Sequence, residues 1–451
     1  MRELIKKYNV PVPRYTSYPT VPLWEMPSDL DDIWPDLVKK AFDETNSKRG
    51  ISLYMHLPFC ESLCTYCGCF QHITINHQVE KKYIESLLKE WTKYLQIFDE
   101  KPEIREIHLG GGTPTFFSPE NLKWLISEIL ASSGSKFKPE FSFEGHPNNT
   151  KREHLETLFG LGFRRVSFGV QDFDPKIQYA INRIQPYEKV VKAISDARKV
   201  GYRSVNFDLV YGLPFQNEQI VRNTFEKVLA LRPDRIAYYS YAHVPWKRPG
   251  QRRYSESDLP DNELKRNLYE IGREKLEQAG YKEIGMDHFA LPDDDLYQAF
   301  TSGNLHRNFM GYTVTNTELL IGLGASAISD AKYAFAQNVK NVKSYHSAMG
   351  NKEDQFINGH VLTDEDLKVR ELIKELICQG KANFSEFDMH LIPSKKINKL
   401  ITMQNEGLLE FDDHSIQITS KGKMFVRNIC SLFDLRMAKD QSNQPRYSKA
   451  I

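Results

Sequence analysis

Tyr54-Met55-His56-Leu57-Pro58-Phe59-Cys60-Glu61-Ser62-Leu63-Cys64-Thr65-Tyr66-Cys67-Gly68-Cys69-Phe70 sets four of the chain's six cysteines within ten residues, directly after an apolar, β-prone run that opens at Ile51. Thiolates this crowded repel one another and cannot all reach good disulfide geometry, so a soft metal centre that takes sulfur ligands is the default explanation. The first three cysteines have the spacing C-x3-C-x2-C. Three thiolates at that spacing suit a cubane [4Fe-4S] cluster with one iron left open. Structural zinc asks for four closed ligands, commonly on two separated C-x2-C knuckles, and stays open as the alternative metal.

A strand that delivers metal ligands from its C-terminal end is the habit of barrels built from βα units, and the chain downstream continues in that manner. Short β-branched and aromatic runs alternate with amphipathic helical segments, which predicts a parallel sheet. Six strands are expected, Ile51 to Met55, Glu106 to Leu109, Glu140 to Glu144, Arg165 to Gly169, Ser204 to Leu209 and Arg235 to Tyr239. Six units are too few for the usual eight-stranded closure, so the expected fold is α/β, a partial (β/α)6 TIM-like barrel with functional residues at the strand C-terminal ends. Those ends are polar or glycine-rich. Gly110-Gly111-Gly112-Thr113-Pro114-Thr115 follows the second strand and lacks the lysine of a phosphate loop. Glu144 ends the third strand, Gln171-Asp172 follows the fourth, and Asp208 precedes Tyr211-Gly212-Leu213-Pro214 on the fifth. Together they predict one binding crevice.

Length and charge limit the alternatives. At 451 residues there is room for two or three domains. The expected division is an N-terminal arm over 1–45, a catalytic domain over 46–361 whose barrel runs to about 245, and a mainly helical, winged-helix-like domain over 362–451. Sixty Lys plus Arg against 59 Asp plus Glu give no basic field, and no apolar run reaches the ~18 residues of a membrane span, so neither nucleic acid nor membrane is expected as a partner. A soluble, cytoplasmic monomer in a reducing compartment is the expectation, with Cys378 and Cys430 as buried core thiols. Pro11, Pro13 and Pro19 interrupt the arm, which is read as too polar to build a core and as either a surface strap or a lid carrying Arg14.

The cysteine loop with Tyr66 before its third cysteine, followed by a strand and Gly-Gly-Gly-Thr-Pro-Thr, resembles the radical S-adenosylmethionine superfamily. Within it, Arg14-Tyr15-Thr16-Ser17-Tyr18-Pro19-Thr20, Cys67-Gly68-Cys69, Gly169-Val170-Gln171-Asp172-Phe173, Tyr241-Ala242-His243, Gly285-Met286-Asp287-His288-Phe289-Ala290 and Leu305-His306-Arg307-Asn308-Phe309 are similar to the oxygen-independent coproporphyrinogen III oxidase family. The resemblance runs from about Lys7 to Ile377 and implies a [4Fe-4S] cluster on Cys60, Cys64 and Cys67. It implies two molecules of S-adenosyl-L-methionine. Tyr54, Tyr66, Gly111, Glu144 and Ile328 match contacts to the one on the cluster; Gly112, Thr113, Gln171, Arg183, Asp208 and Ala242 match contacts to the second. Tyr54, Glu144 and His56 are carried forward as catalytic candidates. The implied reaction converts two propionates of coproporphyrinogen III to vinyl groups through a 5'-deoxyadenosyl radical, giving protoporphyrinogen IX for haem biosynthesis, with an unidentified electron donor and acceptor. Cys69 is not a cluster ligand in this reading. His146, where the family often has Asp, and Met310, where Gln is common, depart from the pattern. His56, His108, His243, His288 and His306 are read as hydrogen-bonding residues before ligands. A haem-binding chaperone of the same fold and a zinc-stabilised binding module are the competing classes.

Overall fold

The computed structural model describes residues 1–350, 353–384, 387, 389–439 and 447. Its centre is a sheet whose first six strands are parallel and follow in chain order: β1 (Ile51–Leu57), β2 (Ile104–Gly111), β3 (Glu140–Gly145), β4 (Phe163–Gln171), β5 (Ser204–Tyr211) and β6 (Arg235–Ser240). All six strands expected from the sequence lie inside these spans. The sheet is larger than the sequence reading, with twelve strands. Beyond β6 it adds β7 (Lys282–Gly285) and β8 (His288–Ala290), and on the other side β9 (Leu319–Leu323), β10 (Ile328–Ala331), β11 (Ala334–Asn338) and β12 (Phe356–Val361), in the order β12-β11-β10-β9-β1-β2-β3-β4-β5-β6-β8-β7. β9 pairs parallel with β1, Leu53 opposite Ile321, and is a seventh parallel strand that the sequence reading missed. Its five residues are all buried, so it has no alternation to mark it, and it is too short for periodicity to separate from a helical segment.

Alternation along the inner strands explains why the barrel holds a site and not a packed core. Successive side chains on a strand point to opposite faces. Ile107, Leu109, Phe141, Phe168, Val205, Phe207, Ile236 and Tyr238 belong to the core shared with the covering helices. The residues between them, among them His108, Ser142, Glu144, Ser167, Asn206, Asp208 and Tyr239, line a cavity. A one-residue slip of any strand would exchange the two sets, so burial of the apolar face pins the register that aims the polar one.

The helix Leu30–Arg49 runs across the expected arm boundary at 45 and buries Leu30, Trp34, Val38 and Phe42 in the main core. The segment before it is more buried than its composition announces. Val12, Tyr15, Tyr18 and Trp24 are all at or below 9 % exposure, and Tyr15 and Tyr18 pack with Leu376, Cys430 and Phe433 in a second core. This corrects the expectation of an arm too polar to contribute to a core: four large side chains do the packing, Thr20 is buried with them, and Arg14 is paired with Asp287. Arg2–Tyr8 is also helical, ahead of the prolines.

The C-terminal region forms the helices Asp364–Gln379, Ser394–Asn405, Val426–Phe433 and Leu435–Lys439 around a small sheet of Lys381–Asn383, Leu409–Phe411 and Ser415–Ile418. Cys378 and Cys430 are buried in its core, as read from sequence. The region stands away from the cavity. It packs behind Tyr312, Leu305 and Ala290, and among the described residues nothing beyond Thr313 lines the cavity.

Candidate active site

The cavity has a volume of about 1500 Å³ and lies inside the parallel strands, with the cysteine loop at its mouth. Cys60, Cys64, Tyr66, Cys67, Gly111, Gly112, Thr113, Glu144, Gln171, Arg183, Asp208 and Ala242 all line it. Residues spread over 183 positions of sequence therefore meet at one place. Tyr54, His56 and Ile328 do not line it. Ile328 opens β10 and packs toward Trp24, Phe335 and Leu362 on the far side of β9.

Tyr54 and His56 stand just beneath the wall and hold it. The buried His56 ring sends Nε2 to the Phe70 carbonyl at 3.0 Å, and its Nδ1 meets the Tyr54 hydroxyl at 3.0 Å. A carbonyl only accepts, so Nε2 carries the proton and Nδ1 accepts from Tyr54. Burial pushes His56 down to about 4, which keeps this one neutral tautomer. His56 thus ties the end of the cysteine loop to β1. A Cβ at Gly111, which has φ +107°, would sit 2.6 Å from the imidazole, and one at Gly112 would sit 2.6 Å from the carbonyl of Pro58. Only glycine lets β2 run this close under the loop. Gly112→Ala is therefore expected to displace the Pro58–Cys60 backbone and to prevent retention of iron, measured as iron per chain after anaerobic reconstitution; full iron loading would show that the close approach is dispensable.

The loop is clamped from three other segments. Thr65 N–H donates to the Ile181 carbonyl at 2.9 Å and Asn182 Nδ2 to the Leu63 carbonyl at 2.8 Å. Arg248 donates to the Gly68 carbonyl, and Gln251 Nε2 reaches the carbonyls of Ala242 at 3.2 Å and Tyr66 at 3.5 Å. Tyr66 packs toward Ile177, Leu213, Tyr241 and Tyr254, which turns the aromatic before the third cysteine into the loop's apolar anchor. Cys60 Sγ hydrogen-bonds Thr113 Oγ1 at 3.3 Å, and Arg183 Nη1 donates to Cys64 Sγ at 3.5 Å. Cationic and hydroxyl donors aimed at sulfur are what a thiolate donor set needs.

Electrostatics differ between the two carboxylates. Glu144 Oε1 is 3.4 Å from His108 Nε2 and otherwise open to the cavity. Asp208 is enclosed, accepting from Ser167 Oγ at 2.8 Å and Asn206 Nδ2 at 2.9 Å. Burial, and next the charge of Glu144, push it up to about 6. Gln171 has φ +66°, and Arg183 Nη2 donates to the Gly169 carbonyl at 2.6 Å, so the β4 end is bent to present both side chains. Four nitrogens on the cavity wall are buried without a partner: Arg165 Nε, Arg183 Nε, Arg235 Nη2 and His288 Nδ1. Unpaired buried donors on this scale fit a cavity that takes a polar, anionic occupant. Arg165, Arg235, Ser142, Asn206 and Tyr239 were missed by the sequence reading; the alternation of polar with apolar residues along β3 to β6 was the signal that marks them.

The positions that depart from the family pattern also line the cavity. His146 Nδ1 accepts from the Asn148 N–H at 3.1 Å and closes the turn after β3. Met310 N–H donates to Asn308 Oδ1 at 2.9 Å, leaving the thioether for the wall. His108, His243 and His288 hydrogen-bond Ser142, Tyr241 and Tyr239.

Residues 54–228 match the radical SAM superfamily model. The chain is 36 % identical to oxygen-independent coproporphyrinogen III oxidase of Synechocystis sp., covering all of this chain and 97 % of that protein. It is 35 % identical to the Escherichia coli protein of the same name, over 99 % of this chain and 98 % of that one. The solved structure described as coproporphyrinogen III oxidase from Escherichia coli, a radical SAM enzyme, superposes with a TM-score of 0.87 at 34 % identity, over 96 % of this chain and 98 % of that one. No helix among the described residues is long and apolar enough to cross a membrane.

Proposed function

The chain belongs to the oxygen-independent coproporphyrinogen III oxidase family of radical SAM enzymes, and we infer that it decarboxylates two propionates of coproporphyrinogen III to vinyl groups. The observation that carries this reading is the clamped loop of Cys60, Cys64 and Cys67 at the mouth of a polar, cation-lined cavity of about 1500 Å³, large enough for a tetrapyrrole.

Cys60, Cys64 and Cys67 would hold a [4Fe-4S] cluster, and the donor set fits it: three thiols on one loop, with Thr113 and Arg183 hydrogen-bonded to two of the sulfurs. Cluster and S-adenosyl-L-methionine together supply a hydrogen-abstracting radical after one-electron reduction. The chain's own residues do the rest. Glu144 offers a carboxylate to an ammonium group, Gly111 and Gly112 let the backbone close on the ligand, and the cavity walls exclude water from a reactive intermediate. The neutral His56 positions the loop from below, and Tyr54, part-exposed and stacked on the cavity-lining His108, backs the wall beside Glu144. Gly112, Thr113, Gln171, Arg183, Asp208 and Ala242, which all line the cavity, would hold the second cofactor molecule that the resemblance implies. The electron donor and acceptor are separate molecules, and the protein acts as a cytoplasmic monomer.

An anaerobic assay with coproporphyrinogen III, S-adenosyl-L-methionine and a reductant is expected to give protoporphyrinogen IX, read by mass as two losses of the elements of formic acid; unchanged substrate with a fully loaded cluster would overturn the assignment.

Asp208 gives a pH test of the second position. Its carboxyl is raised to about 6 from an ordinary 3.8. Stability contributed by the protonated form is fully present below 3.8 and lost as the pH rises through about 6. A cation or ribose hydroxyl bound there requires the ionised form, so affinity should rise as the pH climbs to about 6 and then level off. Asp208→Asn is expected to keep the cluster's absorption spectrum, flatten that pH dependence and lower turnover at least about tenfold, since a charge-assisted hydrogen bond contributes ~1.5–3 kcal/mol. Loss of the cluster in this variant would make Asp208 a structural residue.

A further inference from the structure

The turn Trp246-Lys247-Arg248-Pro249-Gly250-Gln251-Arg252-Arg253 carries four cations in eight residues of a chain whose total charge is nearly balanced. Among the described residues none of Lys247, Arg248, Arg252 and Arg253 forms an ion pair, and all but the half-buried Arg248 are exposed. Their hydrogen bonds go to neutral groups: Arg248 donates to the Gly68 carbonyl, Arg252 Nε to the Pro245 carbonyl at 3.2 Å, and Arg253 Nη1 to Asn182 Oδ1 at 3.2 Å. Gly250 lies against the cysteine loop, where a Cβ would meet Leu63 Cδ2 and Thr65 at 3.5 Å. Leu63 is 39 % exposed and, unlike Glu61, Ser62 and Cys64 around it, does not line the cavity, so it marks the outer face of the loop. Asn182 joins the Leu63 carbonyl to Arg253, and Arg253 lies over the ring of Tyr179, 4.8 Å from its centre. Tyr179 and Trp246 are each 65 % exposed. Of the acidic residues nearby in sequence, Asp258 is turned to Ser255 and Glu61 faces the cavity, which leaves Glu256 against four cations.

Exposed large apolar side chains set among unpaired cations have the composition of a protein interface, where Trp, Tyr and Arg are the favoured anchors. The position of the face says what docks there. A cluster on Cys60, Cys64 and Cys67 has to receive single electrons from outside, while its cavity side is taken by cofactor and substrate. Electron transfer weakens steeply with distance, and Leu63 is bonded directly to Cys64. We propose that Leu63, Tyr179 and the turn 246–253 form the docking surface for an acidic protein that carries one electron at a time. The carrier is oxidised by one electron and the cluster is reduced by one, with no bond made or broken in the chain. Unpaired positive charge around the apolar anchors steers an acidic partner and makes its association depend on salt. The inference rests on the cluster assigned above and not on the identity of the tetrapyrrole.

The test uses the full-length chain with flavodoxin, an acidic flavin-bearing electron carrier, and with dithionite, a small reductant that needs no docking surface. The double variant Lys247→Glu/Arg252→Glu changes two side chains that make no hydrogen bond to the cysteine loop. It is expected to weaken flavodoxin binding at low salt at least about tenfold and to flatten its salt dependence, read by flavin fluorescence on the chain before cluster reconstitution. Reductive cleavage of S-adenosyl-L-methionine should fall in step when flavodoxin supplies the electron and stay at the wild-type level with dithionite. Trp246→Ala should weaken the same binding about tenfold and keep its salt dependence, because it removes an apolar anchor and no charge. Wild-type flavodoxin affinity in both well-folded variants overturns the docking surface. Cleavage that falls equally with dithionite makes the turn a brace for the loop and overturns it too, as does tighter binding of an oligoribonucleotide than of flavodoxin. A wild-type chain that retains no iron after reconstitution removes the cluster, and the docking surface falls with it.

Discussion

Cys60→Ser, Cys64→Ser and Cys67→Ser are each expected to lose essentially all iron and sulfide and all cleavage of S-adenosyl-L-methionine, whereas Cys69→Ser keeps the brown cluster. The difference follows from position. Cys60, Cys64 and Cys67 sit on a loop pinned by Thr65 to Ile181 and by Tyr66 and Gly68 to the turn of Arg248 and Gln251, and Thr113 and Arg183 already approach two of the sulfurs. Cys69 lies past the last of those clamps and is the exposed one of the four. Its hydrogen bond to Cys67 makes it a neighbour that tunes a ligand, a smaller role than holding iron. Iron and sulfide analysis after reconstitution, with electron paramagnetic resonance of the reduced protein, reads the four variants side by side. Equal iron loss in all four would mean a closed four-thiolate site, leaving no open iron for the cofactor and defeating the mechanism.

Removing residues 1–29 is expected to unfold the C-terminal core, and this reverses what the proline-rich composition of the arm leads one to expect. Val12, Tyr15, Tyr18 and Trp24 are buried. Tyr15 donates to Asp434 Oδ2 at 3.0 Å, Trp24 stacks on Phe335 with ring centres 5.1 Å apart, and Arg427 donates to the carbonyls of Val12 and Pro13. At ~1.5–3 kcal/mol per buried large side chain the four contribute on the order of 6–12 kcal/mol, comparable with the ~5–15 kcal/mol net stability of a typical protein. The truncated chain should therefore melt well over 10 °C lower or precipitate, and Tyr18→Ala alone should cost about 3–5 kcal/mol by analogy with other buried aromatics. Thermal melts followed by circular dichroism decide it; a truncated chain with the wild-type melting temperature would restore the picture of a dispensable lid. Arg14 is engaged by Asp287, so in this conformation it is not a free clamp for a propionate.

Tyr15 and β9 show where reading the chain stops short. Tyr15 lies among prolines and polar residues, and nothing local reports that Leu376 and Phe433, over 350 positions away, will cover it. β9 pairs with β1 across more than 260 residues, and a five-residue apolar run is equally good as strand or helix until that partner arrives.

The amino-acid sequence by itself determined the parallel strand order β1 to β6, the cysteine loop after β1, and the polar strand ends at Glu144, Gln171 and Asp208, because each rests on interactions within a few residues: period-two alternation, turn-forming glycines, thiol spacing. The tertiary structure alone decided that His56 is buried as a brace under the cysteine loop, that Ile328 lies on the far side of β9, and that the arm is core. Those are matters of burial and partner, and desolvation has no value for a side chain until distant segments have closed over it.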